Sequence, residues 1–113
     1  MNILSELTLL LTAYAPVETG VFSGEASDEY FVITPLTDSF ELYGDNRPEF
    51  ETQEARISVY SKISYLTLKN SVVSALLNGA FMVTDRRHIG REDDTGYFHY
   101  AIDIAKLYTV EVE

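Results

Sequence analysis

The end of this chain constrains its fold more than any other feature. From Tyr97 the pattern alternates, with Phe98, Tyr100, Ile102 and Ile104 on one face, so residues 97 to 112 read as one long strand. At about 3.3 Å per residue that strand would reach roughly 50 Å. A compact domain of this chain's length has a radius of gyration near 13 Å and hence a diameter of about 34 Å. The strand must therefore bend sharply at a bulge, or its end must leave the body and offer an edge to another chain.

The other elements are read from local pattern. Asn2 can cap a helix over residues 3 to 14, in which Ile3, Leu7, Leu10, Leu11 and Tyr14 recur at helical spacing and Pro16 lies just beyond the end. A short Val21-Phe22 segment and a polar turn follow. Tyr30-Phe31-Val32-Ile33-Thr34 then reads as a well-covered strand closed by Pro35. From Glu54 to about Tyr60 a half-buried strand sets Ala55, Ile57 and Val59 on one face and Arg56, Ser58 and Tyr60 on the other. A second helix, capped by Ser61 or Ser64, carries Tyr65, Leu68, Val72, Val73, Leu76 and Leu77 on its apolar face, and Asn78-Gly79 supplies a left-handed stop. Phe81 to Ile89, with Phe81 and Val83 inward, pairs antiparallel with the last strand across a Gly90 to Gly96 turn. The sum is one α+β domain: a mainly antiparallel sheet of four to five strands, two helices packed on it, and a long protruding acidic hairpin or loop.

That hairpin is the segment Asp38 to Glu54. It holds Asp38, Glu41, Asp45, Glu49, Glu51 and Glu54 against the single Arg47, with a Gly44-Asp45-Asn46 turn near its middle. The whole chain is acidic, with a net charge of -10, and residues 1 to 46 contain no Lys or Arg. Affinity for nucleic acid comes mostly from basic groups neutralising phosphates, so this is a poor DNA grip but a suitable surface for DNA to slide past. The apolar stretch Ile3 to Leu11 carries Glu6, has no positive residue before it and is too short to span a bilayer. The expectation is a soluble protein made in the cytoplasm, without a membrane partner.

Catalytic signatures are hard to find. There is no cysteine, and His88 and His99 are the only histidines, so a transition-metal site would need scattered carboxylates to complete it, and the two read as ordinary strand histidines. Glu92-Asp93-Asp94-Thr95-Gly96 lacks the alternating ligands of a calcium loop and reads as a solvated turn. Gly20-Val21-Phe22-Ser23-Gly24 has the wrong spacing for a nucleophile elbow, and the glycines form no phosphate cradle. The expectation is no enzyme and no cofactor. Arg86, Arg87 and Arg91 do stand out, three of eight basic residues within six positions, beside Asp93 and Asp94. They form either a self-neutralising surface hairpin or a docking patch for the acidic arm of an identical neighbour, a head-to-tail contact that can close into a ring.

The order of elements resembles the tail-completion and tail-terminator proteins of long-tailed bacteriophages and prophages. The supporting features are the helix Ile3 to Tyr14, then Val21-Phe22 and Tyr30-Phe31-Val32-Ile33, then the strand Ala55 to Tyr60 running directly into the second helix. The run Asp85 to Ile104 is similar to their arginine-containing strand, acidic Gly-bearing turn and aromatic-led final strand. The resemblance implies a virion structural protein at the head-proximal end of the tail. It would form a ring of about six copies that caps the tail tube, ends its polymerisation and meets the head-completion or connector protein, with DNA passing through unbound. Arg86, Arg87, Arg91, Asp93 and Asp94 are then candidates for subunit, tail or connector docking. Asp38, Glu41, Asp45, Glu49, Glu51 and Glu54 are candidates for the lumen or tube-facing arm. The competing reading is a small acidic α+β domain that binds a ligand or a basic partner without assembling with itself.

Overall fold

A computed structural model describes residues 2–18, 28–44 and 47–110. Val21-Phe22 and Asp45 lie outside the described residues.

Helix α1 spans Ile3–Leu11, and the Asn2 side chain caps it by accepting the Ser5 N–H at 2.9 Å. Ile3, Leu7 and Leu11 are its buried face. The helix ends a turn before Tyr14, because the chain must leave it to bring Pro16 to the sheet, where the Pro16 carbonyl accepts the Phe31 N–H at 2.9 Å. β1 (Val17–Glu18) follows, and then the two longest strands, β2 (Glu29–Gly44) and β3 (Arg47–Ser61), pair antiparallel along their whole lengths. Pro35 does not close the first of them. The Phe31 N–H points outward to Pro16, so by alternation the position where Pro35 lacks an N–H also faces outward, beyond the reach of β1, and a bulge between Pro35 and Thr37 absorbs the irregularity.

Helix α2 covers Leu66–Asn78. Ser61 does not cap it; Tyr65 occupies the N-cap position with its ring held against the sheet, and Ser64, one residue earlier, accepts the Leu66 N–H at 3.4 Å. Leu77, expected on the apolar face, is 58% exposed, while Val72 and Leu76 are buried. The left-handed residue at the far end is Ala80 (φ 64°), not Gly79 (φ -86°). The Phe81 N–H bonds the Leu76 carbonyl at 3.0 Å and the Ala80 N–H the Leu77 carbonyl at 3.3 Å, the pattern of a Schellman stop in which Phe81 packs back on Leu76. Gly79 serves a different purpose. A Cβ there would lie 3.3 Å from both the Ala75 carbonyl and the Phe81 ring, so its bare backbone lets that ring close over the helix end.

β4 (Met82–Arg91) and β5 (Phe98–Thr109) complete a mixed five-stranded sheet of order β1-β2-β3-β5-β4, in which only β1–β2 is parallel. The fold is α+β. As far as Thr109 β5 neither bends away nor leaves the body; residues 111 and 112 lie outside the described residues. It lies between β3 and β4 as far as Ala105, then continues along β3 alone to Thr109 opposite Phe50. The body lengthens to hold it, with extents of 53 × 27 × 23 Å and a radius of gyration of 15.6 Å.

Both helices lie on one face of this sheet. Phe31 from β2, Ala55, Ile57 and Val59 from β3, and Tyr100, Ile102 and Ile104 from β5 meet Leu7, Leu11, Val72, Leu76 and Phe81 beneath them. Each large side chain buried there contributes about 1.5–3 kcal/mol. The other face carries Tyr30, Tyr60 and His99 in register across three strands, with the rings of Tyr30 and Tyr60 stacked at 4.8 Å and those of Tyr60 and His99 at 4.3 Å.

Candidate functional site

The acidic arm is the distal half of the β2–β3 hairpin, continuous with the sheet. Register and alternation divide its carboxylates between the two faces. Asp38 pairs with Gln53 and Phe40 with Glu51 on the helix-bearing face, where Glu49 also points; Glu41 pairs with Phe50 and Thr37 with Glu54 on the other. Two of these acids are held in place. Gln53 Nε2 donates to Glu51 Oε1 at 2.8 Å, and Thr37 Oγ1 donates to Glu54 Oε2 at 2.5 Å. Asp38, Glu41 and Glu49 are exposed. Phe40, also exposed at 56%, is therefore an aromatic side chain surrounded on its own face by Asp38, Glu49 and Glu51.

The arginine strand is β4. Arg86 pairs with Ile102 and Arg91 with Phe98, which puts both on the helix-bearing face, while Arg87 pairs with Ala101 on the opposite one. Arg87 is engaged there: its Nε lies 3.0 Å from Asp85 Oδ2, and this bonding holds the Asp85 carboxyl below the ordinary carboxylate range. Arg91 Nη1 stands 3.8 Å from Asp93 on the fully exposed turn that also carries Asp94. Arg86 has no carboxylate within ion-pair distance among the described residues, and lies beside Val73, Leu77 and Val83. The fold thus separates Arg86 and Arg91 from Arg87, and it places this end of β4 far from the arm, since β5 meets Arg91 at Phe98 and the arm's Phe50 at Thr109.

Beside Arg86 and Arg91 the fold assembles a feature that the sequence reading does not contain. Ser64, Tyr65, Leu66, His88 and Phe98 line a cavity of about 280 Å³ at the start of α2. Tyr65 Oη and His88 Nδ1 share a 2.6 Å hydrogen bond, and the Tyr65 ring meets Phe98 edge-on and leans on Tyr100. Burial pushes the Tyr65 phenol up, which keeps it neutral. Lys69 sits over the Tyr100 ring at 5.3 Å. Strict alternation from the inward Val83 would put His88 on the face opposite Phe98; a bulge between Val83 and Asp85 turns His88 to the helix-bearing face, and that Tyr65 joins them depends on how α2 crosses the sheet.

On the open face, burial and the neighbouring Tyr60 and Tyr97 push the Tyr30 phenol up to about 12, and burial pulls the His99 imidazole down. Across the middle of that face Arg56 grips Asp103 with two bonds, Nε to Oδ1 at 2.7 Å and Nη2 to Oδ2 at 3.0 Å. Among the described residues no group of three or more His, Cys, Asp or Glu could hold a metal ion, and no helix is long and apolar enough to cross a membrane. The described surface has an acidic arm that carries the exposed Phe40 at one end, and an aromatic pocket with basic neighbours at the other. The chain matches no protein-family model and no curated protein sequence.

Proposed function

We propose that this protein is a structural subunit of the head–tail joint of a long-tailed bacteriophage or prophage. About six copies form a ring that caps the finished tail tube, stops its growth and presents a surface to the head connector. The observation that carries the reading is the separation of an acidic hairpin from the arginine strand along a 53 Å body, with the resemblance in element order beside it. A contact between unlike ends propagates from copy to copy and closes into a ring when the rotation per step allows. Carboxylates lining such a ring repel the polyanion that passes through, whereas basic groups would retain it in a salt-dependent way. The exposed Glu41, on the face opposite Phe40, is the arm residue best placed for that lining.

The test is a phage or prophage in which the gene is deleted. Tails should be of irregular length and should fail to join heads, and electron microscopy of complemented tails should show a ring of about six copies at the head-proximal end. Tails of normal length that join heads without the protein would refute the proposal.

A further inference from the structure

We infer that the cavity lined by Tyr65, Leu66, His88 and Phe98 is the seat for Phe40 from the arm of a second copy. The inference deepens the ring proposal and rests on it for the presence of the neighbour.

Size, chemistry and charge agree on this occupant. A cavity of about 280 Å³ has room for one phenyl ring, since about 150 Å³ suffices for benzene. Its walls are aromatic and aliphatic, with Leu66 53% exposed, so a seated ring would gain both area burial and edge-to-face contact with Tyr65 or Phe98. Phe40 is a large apolar side chain left open to solvent, at 56% more exposed than Leu36 of the same strand, and it stands among carboxylates.

The surroundings are complementary. Asp38, Glu49 and Glu51 flank Phe40, while Lys69, Arg86 and Arg91 lie on the cavity's face of the sheet. Arg91 is partly engaged by Asp93, which leaves Arg86 and Lys69 as the main steering charges. The arm cannot reach this cavity within its own chain, because β5 runs between them. Only another copy can bring the two together.

The absence of cysteine from the chain makes the contact directly testable. Phe40→Cys and Leu66→Cys variants are purified separately, shown to be folded by circular dichroism, mixed and oxidised. A mixture of Phe40→Cys with Leu9→Cys, a more exposed position on α1, serves as the reference for random collision. The F40C–L66C disulfide should form at least about tenfold more than the F40C–L9C one, and Arg86→Glu in the Leu66→Cys partner should reduce it. Equal yields of the two disulfides would overturn the inference.

A chain carrying both Phe40→Cys and Leu66→Cys separates this inference from the ring proposal. A covalent ladder ending in a closed ring supports both. A doubly linked dimer supports the Phe40 seat, with the two contacts reciprocal about a two-fold axis, and refutes the ring.

Discussion

The side-chain carbonyl of Gln53 accepts the backbone N–H of Ile3 at 2.8 Å across fifty residues of sequence. Gln53 sits in β3 among the acids of the arm, and Ile3 is the first residue of α1, so this one bond ties the root of the arm to the helix layer. It satisfies a donor that the helix itself leaves unpaired. The same amide donates to Glu51, so the arm's carboxylate beside Phe40 is positioned by the group that anchors the helix.

Gln53→Leu should therefore destabilise the protein by about 1–3 kcal/mol, because the buried Ile3 N–H loses its acceptor while Leu fits the space. Urea unfolding followed by circular dichroism measures it. An unchanged midpoint would mean that the Ile3 N–H finds another partner.

His99 gives the open face a pH response. Its Nε2 is buried with no hydrogen-bond partner among the described residues, and its ring stacks on Tyr60. Burial lowers its pKa, Glu92 opposes the shift and Arg56 adds to it. A depressed pKa means that the unfolded chain takes up the proton first. Its contribution to stability is thus present above the unfolded value of about 6.5 and is lost as pH falls through the lower folded value. His99→Phe should flatten the pH dependence of the unfolding midpoint below about pH 6.5 relative to the parent, since only the parent has this imidazole to charge. Parallel pH profiles would contradict that assignment.

Ala80 holds a left-handed backbone conformation that disfavours any side chain with a Cβ. Ala80→Gly should raise stability by about 0.5–1 kcal/mol, a small upward shift of the thermal midpoint. Gly79→Ala should bring no gain, since its new Cβ would crowd the Ala75 carbonyl and the Phe81 ring. The reverse order of stabilities would mean that the helix ends differently in solution.

Arg86 and Arg87 should separate in function. Arg86→Glu reverses a charge on the helix-bearing face, two residues along β4 from the cavity's His88, and should reduce head–tail joining by about tenfold. Arg87→Gln breaks a bond internal to β4 on the opposite face and should leave joining near normal. Both chains should keep their circular-dichroism signal, because exposed charges contribute little to the fold. Equal loss in the two variants would argue against a role for the helix-bearing face.

Local pattern in the chain settles what local physics controls. The alternation of Ala55, Ile57 and Val59, and of Tyr100, Ile102 and Ile104, marks the buried face of each strand because side chains alternate with period two, and Asn2 marks the start of α1 because its side chain reaches only the next turn. In sequence Arg86 and Arg87 group in one patch; as strand neighbours they point to opposite faces, and the bulge between Val83 and Asp85 decides which of them joins the helix-bearing face. Tertiary structure alone decides the rest. Pro35 passes through a strand because the outer edge there is unpaired, β5 inserts between β3 and β4 so that its length extends the body, and Tyr65 meets His88 and Phe98 only because α2 crosses them. Strand order, bulges and helix placement follow from contacts between residues far apart in sequence, whose energies no local window contains.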